Sequence, residues 1–270
     1  MKQRLISAFV GIIVLVLVLL GNQYVFDFVV TIIASVAVYE VLNALNLKKF
    51  TGALIAALSS PVLLSIASCF PHNGKELFIP VIFVVSGIIM LYMLFNHEKF
   101  KFNDAASFIA VSFIVPICFL CVMLTRRLGM GNIDVFIILI GCWVTDSCAY
   151  FAGMFFGKHK LAPVISPKKT VEGSIGGIFG VALILVAYAF VTANIMDLRV
   201  NVFSVIVIGV ISGTLSQCGD LCASIIKREN NIKDFGNLMP GHGGVMDRFD
   251  SFLFVAPIVY YILSYFPVFY

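Results

Sequence analysis

"MKQRLISAFVGIIVLVLVLLG", Met1 to Gly21, places Lys2 and Arg4 before about 16 uncharged, mostly apolar residues. A bilayer core of ~30 Å needs ~20 helical residues at ~1.5 Å each. The stretch has no A-x-A pattern for cleavage, so it reads as a retained first transmembrane helix rather than a removed signal. Segments of the same kind recur along the chain. They cover 5–21, 24–45, 52–70, 77–95, 105–125, 133–156, 174–193, 202–226 and 247–268. None alternates polar and apolar residues as a membrane barrel strand would. The expected fold is an all-α integral membrane protein of about nine transmembrane helices, forming a single polytopic domain over 1–270.

Composition agrees. The chain is 61% hydrophobic and 12% charged, against about 25% charged in soluble proteins. Mean hydropathy is +1.06. A net charge of +4 is mild and points to membrane orientation, not to nucleic acid. With the N-terminus inside, 14 of the 18 Lys and Arg residues fall in cytoplasmic segments and 4 outside. That bias sets the N-terminus in the cytoplasm and the C-terminus outside. The seven cysteines all lie in apolar runs. Cys118-x-x-Cys121 has redox or zinc spacing but no nearby His or second pair, so buried small hydrophobes are expected.

Polar residues are unevenly spread. Residues 1–130 read as scaffold helices, and 133–270 as catalytic helices with long loops at 157–173 and 227–246. An ionisable residue at membrane depth is a functional candidate. Asp146 lies mid-helix in "GCWVTDSCAYFAGMFFG", sharing a face with Tyr150 and Gly153. A structural hydrogen bond to a neighbouring helix is the competing reading. In "SGTLSQCGDLCASIIKR", Gln217, Asp220, Ser224 and Lys227 form a polar stripe. Lys227 is about 10 Å from Asp220 along the axis, so a metal ion is the more economical partner for that carboxylate.

"PGHGGVMDRFDS", Pro240 to Ser251, opens the last apolar segment. Asp247 or Asp250 alone could serve the helix dipole. The set asks for more: Gly243 and Gly244 let backbone amides approach an anion, and Arg248 can grip phosphate in two places. His242 can donate to phosphate or act as acid or base. "GKHKLAPVISPKKTVEGSIGG" adds Lys168 and Lys169 beside Thr170, Glu172 and a helix expected to start at Gly173 and Ser174. This reads as a polyanion site. Gly173, Gly176, Gly177 and Gly180 also permit close helix packing. Carboxylates at membrane depth with basic, glycine-rich loops suggest Mg²⁺-assisted phosphoryl or nucleotidyl transfer to a lipid with a polar head.

"SIIKRENNIKDFGNLMPGHGGVMDRFDS", Ser224 to Ser251, resembles the signature of the phosphatidate cytidylyltransferases, S-x-x-K-R, K-D, then H-G-G-x-x-D-R-x-D. "QCGDLCAS" and "TDSCAYFAGMFFGKHKLAPVISPKKTVEGSIGG" match two further blocks, so the likeness runs through 140–251 with no departure at a polar position. The resemblance implies that CTP and phosphatidic acid give CDP-diacylglycerol and pyrophosphate at the cytoplasmic face of the cell membrane. It implies a metal centre at Asp220 and Asp247; Asp146 and Asp250 are further candidates from the residues themselves. It also implies a second cation such as K⁺, and a homodimer. Phosphate contacts are expected from Lys168, Lys169, Ser224, Lys227, Arg228, Lys233, Gly243, Gly244 and Arg248, with Asp220, Asp247, Asp146 and His242 as the catalytic set. A CTP-dependent polyprenol or phytol kinase is the nearest alternative. The D-G-x-x-A-R pattern of CDP-alcohol phosphotransferases is absent. An ion-coupled transporter is the reading from another class, and no polar path across the membrane supports it.

Overall fold

The computed structural model describes residues 2–70, 74–239, 241 and 243–270. Its long helices fall where the apolar runs are: α1 (Lys2–Leu20), α2 (Gln23–Ala44), α3 (Thr51–Ser68), α4 (Gly74–Phe95), α5 (Phe102–Arg126), α6 (Asn132–Phe156), α7 (Val171–Met196) and α8 (Val202–Glu229). Among the described residues, seven helices, α2 to α8, are long and apolar enough to cross a membrane. The protein is therefore a mainly helical membrane protein. Local chemistry sets the ends. Asn22 caps α2 by accepting from the Val25 N–H at 2.9 Å, and Thr170 caps α7 by accepting from the Gly173 N–H at 3.1 Å.

Three features differ from the sequence expectation. The loop 157–173 holds a hairpin of β1 (Lys160–Ala162) and β2 (Ser166–Thr170), antiparallel, and α7 begins at Val171, before Gly173. The segment expected as one helix over 247–268 is two: α9 (Met246–Phe249) and α10 (Phe252–Tyr265). The break has a cause in Asp250, whose Oδ1 accepts from the Ser251 N–H at 2.8 Å and so competes with the helical ladder. The third difference concerns the thiols. Cys118, Cys121 and Cys142 are buried as expected, but Cys69, Cys218 and Cys222 are exposed on the chain's surface.

The elements form two compact units. The first comprises Met1–Met123 and Asn230–Phe249, the second Leu124–Glu229 and Asp250–Tyr270. The segment 230–249 groups with the N-terminal helices. In the first unit α3 packs on α2 and α4, and α9 meets α2. An aromatic group joins Phe50 and Phe108 through the fully buried Phe100, with ring centroids at 4.7 and 5.7 Å.

In the second unit α7 lies against α6 and α8, and α10 against α6 and α8. The contact of α6 with α7 depends on small residues. A Cβ on Gly173 would stand 2.7 Å from the Ala149 carbonyl oxygen, so the helices could not approach as they do. Gln217 fastens α8 to α7: its Nε2 donates to the Ser174 carbonyl at 3.1 Å and to the Gly213 carbonyl at 2.8 Å. That bond accounts for one member of the polar stripe without any ligand. The chain's last residues return to the α7–α8 turn, where Arg199 and Tyr270 exchange backbone hydrogen bonds at 2.9 and 3.1 Å.

Candidate active site

In the second unit the carboxylates gather around α8. From Val202 to Asp220 the helix rises about 27 Å, so Asp220 lies nearly a hydrocarbon core's thickness from the α7–α8 turn. At that level Gly219 faces the start of α10. A Cβ there would come 2.7 Å from the Asp250 carbonyl oxygen, which explains a glycine directly before Asp220. Asp250 is only 8% exposed and lies within electrostatic reach of Asp220, Lys227 and Asp146. A surface helix-start charge would be solvated, so burial places Asp250 in the carboxylate group instead.

The ion-pair partner of Asp220 is Lys169, delivered by β2. The sequence stripe pointed along α8 to Lys227, but the hairpin brings a lysine from about 50 residues earlier. The pair is partly buried, with side-chain exposures of 24% for Lys169 and 28% for Asp220. Lys168, next to it on the same strand, is exposed. Lys227 and Arg228 end α8, where they also complement its dipole, and Ser224 is half-buried one turn earlier.

Two residues of the basic loop have structural tasks. Thr170 is the α7 cap. Glu172 accepts from the Lys158 N–H at 3.0 Å and bonds His159 Nδ1 at 2.6 Å, which ties the loop's entry to the helix start. The polyanion reading of this loop therefore narrows to the lysines.

In the first unit the loop 230–249 is built around two carboxylates. Asp247 Oδ2 accepts from the Phe235 N–H at 2.7 Å and from the Gly244 N–H at 3.0 Å. The Gly244 amide, offered from sequence to phosphate, is thus engaged within the loop. Gly243 has φ +85°, a left-handed conformation that suits glycine, and its carbonyl accepts from the Met239 N–H at 2.9 Å. Lys233 and Arg248 are exposed. His242 lies outside the described residues.

The second carboxylate is Glu40 on α2, which the sequence reading missed. It is 5% exposed. Its Oε1 accepts from the Val245 N–H at 3.0 Å and its Oε2 from the Met246 N–H at 2.8 Å. A Cβ on Gly236 or Gly244 would collide with this carboxylate, so both glycines are required by its insertion. The signal was available: a Glu at position 40 in "TIIASVAVYEVLNA" meets the same membrane-depth criterion as Asp146.

Glu40→Gln keeps the shape but turns an amide NH₂ toward one of two backbone donors. Losing one charge-assisted bond of ~1.5–3 kcal/mol is expected to lower kcat about tenfold or more. Hydrogen exchange should quicken at Val245 and Met246. An unchanged kcat would show that the loop holds its working shape without Glu40.

The carboxylates supply the hard oxygen ligands that Mg²⁺ takes. Among the described residues, no three His, Cys, Asp or Glu side chains form a ready chelate. Mg²⁺ sites of another kind use one or two carboxylates and take their remaining oxygens from substrate phosphates and water.

A model of the cytidylyltransferase family matches residues 2–266. A protein of Staphylococcus aureus strain COL named phosphatidate cytidylyltransferase is 36% identical over 262 residues, covering 96% of this chain and 97% of the relative. A Staphylococcus epidermidis protein of that name is 36% identical over 267 residues, and one from Staphylococcus saprophyticus 35% over 266, both with the same coverage.

Proposed function

This chain belongs to the cytidylyltransferase family, and we infer from that membership that it transfers the cytidylyl group of CTP to phosphatidic acid. The products are CDP-diacylglycerol and pyrophosphate. The observation that carries this reading is 36% identity to a phosphatidate cytidylyltransferase over 96% of the chain.

A phosphate oxygen of phosphatidate attacks the α-phosphorus of CTP. The new P–O bond forms as the α–β anhydride bond breaks, and pyrophosphate leaves with the electron pair. Phosphatidate is already ionised, so no covalent enzyme intermediate and no obligatory general base are needed. Lys168, Lys169, Lys227, Arg228, Lys233 and Arg248 spread the charge that develops on the phosphate oxygens. Lys169 exchanges part of its pairing with Asp220 for the substrate. Ser224 donates to a phosphate oxygen, and His242 contacts another. Gly243 and Gly244 keep the loop close enough for Asp247 and Glu40 to hold it.

Asp220 and Asp247 are the proposed ligands of Mg²⁺, with Asp146 and Asp250 supporting the negative field and a second cation such as K⁺. Mg²⁺ when bound neutralises the triphosphate and polarises the reacting phosphoryl group. We further propose nine crossings with α1 and α10 included, as one polytopic domain. The N-terminus is cytoplasmic, the active site is on the cytoplasmic side, and the working form is a homodimer. The positive-inside count supports this orientation.

Purified protein in phosphatidate-containing micelles with Mg²⁺ is expected to move label from α-labelled CTP into lipid. γ-labelled CTP should leave the lipid unlabelled. Transfer of the γ label would identify a kinase, and no product from either would overturn the reading.

A further inference from the structure

The end of α2 and the loop 230–238 line an open pocket of about 660 Å³ within the first unit. Ligand sites commonly span ~300–1,000 Å³. Four asparagines line it, Asn43, Asn46, Asn230 and Asn237, together with Tyr39 and Phe235. Among its described lining residues none is lysine or arginine, while Glu40 and Asp234 add two carboxylates. A triphosphate placed here would meet negative charge and no cation. The lining suits a neutral ligand rich in hydrogen-bonding edges, because each carboxamide offers both donors and an acceptor.

One substrate has such a part. We propose that this cavity holds the cytosine and ribose of CTP, an assignment that rests on the cytidylyl-transfer reading above. The wall that meets the nucleoside is the loop that carries Asp247. Phe235 lines the cavity and its N–H donates to Asp247 at 2.7 Å. Glu40 also lines it, and holds the Val245 and Met246 amides just before Asp247. Seating the base therefore acts on Asp247 through hydrogen bonds within its loop and from Glu40 on α2. Asp234 supplies discrimination. A carboxylate accepts from the exocyclic amino group of cytosine, whereas uracil has a carbonyl at that position and is repelled.

The test fills the cavity and maps the nucleotide. Asn43→Trp is expected to raise KM for CTP about tenfold or more while KM for phosphatidate stays within about twofold. Asp234→Asn is expected to narrow the CTP-to-UTP ratio of kcat/KM about tenfold. Photo-crosslinking of the wild-type protein with an azido-cytidine triphosphate should label peptides from 36–46 or 230–238. This arm decides the matter if Asn43→Trp does not fold. A folded Asn43→Trp protein with unchanged KM for CTP would overturn the proposal. So would a rise confined to phosphatidate, which assigns the cavity to the lipid headgroup, or crosslinks only elsewhere. Wild-type protein that makes no CDP-diacylglycerol would overturn the cytidylyl-transfer reading itself, a result separate from these.

Discussion

Asp220→Asn is expected to lower kcat by about a thousandfold or more while the protein remains folded and monodisperse in detergent. The substitution preserves volume and one carbonyl oxygen, so the contact of Gly219 with the start of α10 is undisturbed. What disappears is the charge that pairs with Lys169 and faces Asp250. Two effects then act together. The proposed ion loses a carboxylate ligand, and the partly buried Lys169 ammonium loses its counter-charge. Steady-state turnover measured beside a thermal melt separates chemistry from unfolding. A melt near the wild-type value with near-normal turnover would remove Asp220 from the metal assignment. Lys169 would then be the functional member of the pair.

Asp247→Asn is expected to cause a loss of similar size, again without unfolding. An Asn oxygen can still accept from the Phe235 and Gly244 amides, which lie 2.7 and 3.0 Å from Oδ2. The loop keeps its anchor and loses only the charge. Asp247→Ala provides the contrast, since it leaves two backbone donors without their acceptor. Each such loss costs about 1–3 kcal/mol, so the alanine variant should melt at a lower temperature as well as being inactive. An active Asp247→Asn protein beside an unstable Asp247→Ala protein would make Asp247 a loop anchor alone. The measurement therefore divides the anchoring role that the geometry gives this residue from the metal role proposed for it.

The helices were largely legible in the sequence because each apolar run is a local property. The run expected over 24–45 is the helix Gln23–Ala44, and that over 133–156 is Asn132–Phe156. The run over 247–268 misled, since hydropathy does not register that a buried Asp250 turns its own carboxylate onto the next amide. The hairpin at 160–170 was missed for a related reason. Its strands are short, basic and partly exposed, without the alternation that marks a half-buried strand.

The candidate site divides in the same way. Asp220, Asp247, Lys168 and Lys169 were marked by being costly or clustered residues in a greasy chain. That Lys169 meets Asp220 could not be read, because β2 and α8 are brought together only by packing. Glu40 was the largest omission. Its partners lie 205 and 206 residues away, and they are backbone amides, which carry no side-chain signature.

By itself, then, the sequence determined a helical membrane protein, its orientation bias and the residue types proposed for phosphate and metal chemistry. Those follow from hydropathy, charge placement and the cost of burying a carboxylate, and each acts within a few turns of chain. Tertiary structure alone decided that Asp250 is buried beside Asp220, that Lys169 neutralises it, and that Glu40 shapes the loop of Asp247. Those are long-range encounters. They depend on which glycines let helices and loops come close, and on which backbone donors remain for a carboxylate to satisfy.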